Sequence, residues 1–103
     1  IIQLEDNIET PQENLDKMES EHLIKIPNSI YGIIEMDHAM ARSLWYFVEV
    51  SNNDMVFISE IPDTSPNIEA KIEKEKIVLR CEDDHGNIKF YESIDNGKTW
   101  KVQ

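Results

Sequence analysis

The chain has 103 residues, 40% of them apolar, and a formal charge of −11 from 21 acids against 10 bases. That length fits one domain able to bury roughly two-thirds of the surface its unfolded form exposes, and no apolar run approaches the roughly 18–20 residues of a membrane-spanning helix. Residues 1–61 hold twelve of the acids and only three bases, a field that repels nucleic acid and anionic lipid and speeds encounter with basic partners.

The first 22 residues read as an arm followed by a short helix. Residues 1–9 are expected to be extended or partly disordered. Thr10-Pro11-Gln12-Glu13 has the form of a helix start, with Thr10 as N-cap, Pro11 at the first helical position and Glu13 closing a capping box. Leu15, Met18 and His22 then share one face, so the spacing predicts a helix over residues 11–22. The chain opens on Ile1-Ile2 rather than Met, as expected after removal of a signal peptide or from a trimmed start. A periplasmic or secreted, bacterial setting is the expectation, with the cytoplasm left open.

From Leu23 the periodicity turns strand-like. Residues 23–26 form a first strand ending at Pro27-Asn28, and residues 30–36 a second. Residues 44–50 and 55–61 are apolar runs joined by the turn Ser51-Asn52-Asn53-Asp54. Residues 37–43 are ambiguous: Asp37 can cap a helix in which Met40, Leu44 and Phe47 align, while Trp45-Tyr46-Phe47-Val48 favours strand. A loop with at most one helical turn is predicted there. Residues 62–66 link two halves of one domain.

The last third is clearer. Ile68, Ala70 and Ile72 alternate with Glu69, Lys71 and Glu73, giving a half-buried strand. Turns at residues 73–76, 83–87 and 95–98 lead into strands over residues 77–82, 88–94 and 99–102, an antiparallel meander. The predicted fold is mainly β: a small antiparallel domain, meander- or sandwich-like, of about seven or eight strands with a short N-terminal helix.

Ser93-Ile94-Asp95-Asn96-Gly97-Lys98-Thr99-Trp100 follows the pattern Ser-x-Asp-x-Gly-x-Thr-Trp. It resembles the Asp-box of sialidase-type β-propellers and of several unrelated secreted β proteins, over eight residues only. The resemblance implies a structural hairpin between the last two strands of a four-stranded meander, built by Ser93, Asp95, Gly97, Thr99 and Trp100, and implies no activity. Gly97 suits the left-handed turn position, Asp95 can accept from turn amides, and Trp100 offers a large apolar face. Sialidase chemistry is not expected, since Arg42 and Arg80 are the only arginines and one motif cannot build a propeller.

Other chemistry is sparse. Cys81, the sole cysteine, alternates in phase with Ile77 and Leu79 and reads as a buried, inert thiol. His22, His38 and His85 have no zinc spacing, and Asp83, Asp84 and Asn87 fit no EF-hand loop. Asp37-His38 with Ser43 lacks a nucleophile elbow, and neighbours on a strand point to opposite faces, so no triad is expected. No paired carboxylates for glycoside chemistry and no phosphate-binding loop can be identified. Tyr31, Trp45, Tyr46, Phe47 and Phe57 read as core rather than as a stacking platform for bases.

No catalytic, cofactor or metal residue is therefore expected. The leading expectation is a non-catalytic inhibitor or immunity-type protein that blocks a toxin or hydrolase with a basic or cleft-like surface, without nucleic acid or membrane insertion. The alternative is an accessory binding domain of a larger secreted or surface protein. A hydrolase fragment and a nucleic-acid mimic rank below both. The expected contacts lie in two segments: Asp37, His38, Met40 and Arg42 in the first, and Asn52, Asn53 and Asp54 in the second.

Overall fold

A computed structural model describes residues 10–40 and 42–103; the arm expected over residues 1–9 lies outside the described residues. The capping box forms as its residues dictate. The Glu13 amide donates to Thr10 Oγ1 at 3.1 Å and the Thr10 amide to Glu13 Oε1 at 3.4 Å, opening helix α1, Pro11–Asp16. The helix is shorter than expected. It stops at Asp16, and a single 3-10 turn, Ser20–His22, follows. Leu15 is fully buried while His22 is exposed, so the three-residue face expected of a longer helix is not realised. A six-residue helix is too short to persist alone, and packing sets its length.

Among the described residues eight strands follow: β1 Leu23–Lys25, β2 Tyr31–Ala39, β3 Arg42–Ser51, β4 Asp54–Glu60, β5 Asn67–Glu73, β6 Lys76–Glu82, β7 Ile88–Ser93 and β8 Lys101–Val102. They make two antiparallel meanders, β1-β2-β3-β4 (sheet 1) and β5-β6-β7-β8 (sheet 2), so strand order follows chain order in both. Asp37, His38, Ala39, Arg42 and Ser43, expected in a loop, are instead in the closing rungs of the β2–β3 hairpin, with Ala39 opposite Arg42. Tertiary pairing overrode the helical spacing of Met40, Leu44 and Phe47. The last strand is also shorter than expected, because Thr99 and Trp100 belong to the turn.

The strand alternation places the core. Ile33, Trp45 and Phe47 of sheet 1 meet Ile68, Ile77, Leu79, Cys81 and Tyr91 of sheet 2 in one buried cluster. The opposite face of sheet 1 buries Ile34, Tyr46, Val48 and Met55 under Leu15 of α1. Strand β3 is thus covered on both faces, which is why its residues 44–48 read as an unbroken apolar run. The helix also closes an edge. Gln12 lies against β4, accepting from the Phe57 amide at 2.8 Å and donating to the Met55 carbonyl at 2.9 Å, as a neighbouring strand would. No helix among the described residues is long and apolar enough to cross a membrane.

The segment between the sheets is held by Asp63. Its Oδ1 accepts from the Ser65 amide at 2.8 Å and its Oδ2 from the Tyr91 hydroxyl at 2.8 Å. Burial works to raise the Asp63 carboxyl, but the bonds from Ser65 and Tyr91 outweigh it and leave it below its ordinary range. Burial, then the same bond, pushes the Tyr91 phenol up to about 12.

Candidate functional site

The β2–β3 hairpin outruns the strands beside it. Pairing of β1 with β2 ends at Ile34, and pairing of β4 with β3 ends at Tyr46. Beyond them the hairpin continues through Asp37↔Leu44, His38↔Ser43 and Ala39↔Arg42. One edge of this extension is steadied by the inter-sheet segment, where the Ser43 amide donates to the Thr64 carbonyl at 2.8 Å and Trp45 Nε1 donates to the Ser65 carbonyl at 2.9 Å.

The register shifts between Glu35 and Asp37, leaving Met36 as a bulge. In a regular strand, residues three apart face opposite ways; the extra residue restores them to one face. Glu35 and His38 therefore converge on Ser43. The Ser43 hydroxyl donates to Glu35 Oε2 in a short bond, and His38 Nδ1 lies 2.9 Å from Ser43 Oγ and 3.5 Å from Glu35 Oε2. With the hydroxyl proton directed to Glu35, Nδ1–H is the donor to Ser43 Oγ.

This differs from a serine triad in two respects. Acid and hydroxyl meet the same ring nitrogen rather than opposite ones, and Ser43 is only 2% exposed. The trio ties down the bulge. Asp37 accepts from the His38 amide at 2.9 Å and is paired with Leu44 rather than Ser43, so it is not the carboxylate of this trio. Sequence reasoning missed Glu35 because nothing in the chain marks a bulge at Met36.

At the tip, Met40 is 95% exposed and holds a φ of 52°, a left-handed conformation uncommon for a side-chain-bearing residue. Arg42 beside it is exposed. A hollow of about 330 Å³ opens behind the hairpin, lined by Asn14, Met18, Met36, Asp37, Leu44 and Tyr46.

The second expected segment is elsewhere. Asn52 and Asn53, with φ of 51° and 70°, form the β3–β4 turn with Asp54. That turn and the hairpin tip occupy opposite ends of β3, roughly 30 Å apart at the rise of a strand. The structure does not bring the two segments into one patch.

The remaining polar groups have local roles. Asp83 accepts from the His85 and Asn87 amides at 2.9 and 2.8 Å and from Asn87 Nδ2 at 3.1 Å; the Asn87 bonds above all lower its carboxyl. Its oxygens are committed to the turn. Glu19, Glu21 and His22 are exposed, with ligand-capable atoms within 4.8 Å of one another, a grouping that surface acids commonly form without an ion. Cys81 is 1% exposed and its thiol is pushed up to about 12, mainly by burial.

The C-terminal turn is held by a dense set of side-chain bonds. The Gly97 amide donates to Ser93 Oγ at 2.8 Å, the Ser93 hydroxyl to Asp95 Oδ1 at 2.8 Å, and the Thr99 amide and hydroxyl to the two Asp95 oxygens at 2.9 and 2.6 Å. The bonds from Thr99 come first in drawing the Asp95 carboxyl down to about 2. Comparisons with protein-family models, with curated proteins and with solved structures find nothing that matches this chain.

Proposed function

We propose that the chain is a non-catalytic protein-binding domain of inhibitor or immunity type, and that the end of the β2–β3 hairpin is its contact surface. The observation that carries this reading is the hairpin's reach: it presents Met40, 95% exposed, beyond the strands on either side, on a base tied by Glu35, His38 and Ser43. A preorganised apolar tip orders little on binding, which keeps the entropic cost of association low. The surrounding charge favours a basic partner, since residues 27–61 carry five acids and Arg42 as their only base. In this reading the turn resembling an Asp-box is scaffold, and the Asn52-Asn53-Asp54 turn lies outside the contact.

The test uses the product of the adjacent open reading frame as the partner. Binding is measured by calorimetry for the parent, for single alanine variants of Asp37, His38, Met40, Arg42 and Ser43, and for Asn52→Ala and Asn53→Ala, with melting temperature alongside. Loss of affinity at Met40 and Arg42 with unchanged melting, and no loss at the asparagines, supports the hairpin. Unchanged affinity across residues 37–43, or no binding at all, overturns the reading. Association is also expected to slow as salt shortens the Debye length from roughly 30 to 8 Å.

A further inference from the structure

Strand β5 runs along the open edge of sheet 2, and among the described residues nothing pairs with its outer side. Its backbone phase follows from the turn that ends it. Lys74 and Glu75 have φ of 51° and 66°, the two-residue I′ turn that closes with a bond from the Lys76 amide to the Glu73 carbonyl. Glu73↔Lys76 is therefore a hydrogen-bonded pair, and by alternation so are Lys71↔Val78, Glu69↔Arg80 and Asn67↔Glu82. The amides and carbonyls of Ile68, Ala70 and Ile72 consequently point away from β6, off the edge of the sheet.

We propose that this edge pairs antiparallel with β5 of a second copy about a two-fold axis at Ala70, joining two four-stranded sheets into one. The strand is self-complementary about that residue. Ala70 faces the partner's Ala70, and Ile68 faces the partner's Ile72 on either side. These are the residues whose backbone groups point outward, so each of the three pairs exchanges two hydrogen bonds. Between them Glu69 stands opposite the partner's Lys71, twice by symmetry, on the solvent face.

Moving the axis by one residue keeps the bonding phase but sets Glu69 against the partner's Glu69, or Lys71 against the partner's Lys71. A one-residue slip of register sets outward-pointing residues against inward-pointing ones and breaks the phase. The pairing also covers Ile72, a β5 side chain 44% exposed. The long-range field opposes it least here, since residues 62–103 hold nine acids and seven bases. The edge of β4, by contrast, is already occupied by Gln12. This edge lies on the other sheet from the hairpin tip, and the proposal stands apart from the binding reading.

Sedimentation equilibrium on the full chain over a wide concentration range tests it, with circular dichroism and melting on every variant. The parent is expected to show a reversible monomer–dimer equilibrium. Ala70→Pro removes only an outward amide and should give a monomer that keeps its fold. Glu69→Lys and Lys71→Glu each set like charges opposite one another at two symmetry-related places and should weaken the dimer roughly tenfold or more. The double variant Glu69→Lys/Lys71→Glu restores opposite charges and should restore the dimer. A parent that stays monomeric throughout, or a dimer indifferent to the charge reversals, overturns the proposal. Should Ala70→Pro fail to fold, the reversal and its rescue decide the matter.

Discussion

The indole of Trp100 stands edge-on to the ring of Phe47, with centroids 5.2 Å apart and planes at 76°. Its Nε1 donates to Ser59 Oγ at 2.9 Å, and the Ser59 hydroxyl donates to the Gly97 carbonyl at 2.5 Å. The last turn of sheet 2 is thereby fastened to β3 and β4 of sheet 1. Gly97 is needed twice over: its φ is 85°, and a Cβ there would lie 2.1 Å from Phe47 Cε2. Gly97→Val should destabilise by about 2–5 kcal/mol through backbone strain and overpacking together. Trp100→Ala should cost about 3 kcal/mol, since its ring is half-buried. Thermal and urea melts check both; variants that melt with the parent would detach this turn from the core.

Asp95 links the same turn to pH. Its folded carboxyl sits near 2 against an ordinary 3.8, so between those values the unfolded chain binds more protons. The stability it contributes is complete above pH 3.8 and is lost as pH falls through about 2. Asp63, Asp83, Glu73 and Glu92 are lowered as well, so the parent's acid unfolding is a joint effect. The comparison is with Asp95→Asn, whose melting temperature should fall less steeply across that window. Parallel curves would show that Asp95 is not protonated later in the folded state.

Cys81 should react slowly with a thiol probe in native buffer and quickly in denaturant, because burial both covers the sulfur and holds it as the thiol. Rapid labelling of the folded protein would place it at the surface.

Gln12 bonds to β4 through both ends of its amide. Gln12→Ala should destabilise by about 1–2 kcal/mol. Gln12→Glu keeps an acceptor for the Phe57 amide but sets a carboxylate oxygen against the Met55 carbonyl and the Asp16 carboxylate, to both of which the Gln12 amide donates, and should destabilise at least as much as Gln12→Ala. Faster hydrogen exchange at the Phe57 amide in Gln12→Ala is the residue-level check; an unchanged rate would mean that the side chain does not close this edge.

The second meander was legible because its rules are local. Ile68, Ala70 and Ile72 alternate with charged residues, and Asp95-Asn96-Gly97 announces a turn. The extension of β2 and β3 was not, since a reversal at Met40 uses a positive φ that no glycine or asparagine signals. The trio of Glu35, His38 and Ser43 was hidden for a related reason: the bulge at Met36 brings Glu35 to the face of His38, and no residue in the chain marks it, so the carboxylate weighed beside His38 was Asp37. The length of α1 was overestimated because Leu15, Met18 and His22 fit a helical face whose last turn has no partner layer.

The sequential strand order has a kinetic consequence. Every ladder joins chain neighbours, so each hairpin closes a short loop, and neither sheet waits for a distant segment before it can form. Relative to sandwiches whose strands cross between sheets, this lowers the contact order and should speed folding. The long loops close only when one finished meander meets the other, through contacts such as Phe47 with Trp100 and Asp63 with Tyr91. Those contacts should form after the rate-limiting step, so Trp100→Ala should accelerate unfolding in stopped-flow denaturant jumps while refolding stays near the parental rate. A refolding rate that dropped in proportion to the lost stability would place the docking of the two sheets inside the barrier instead.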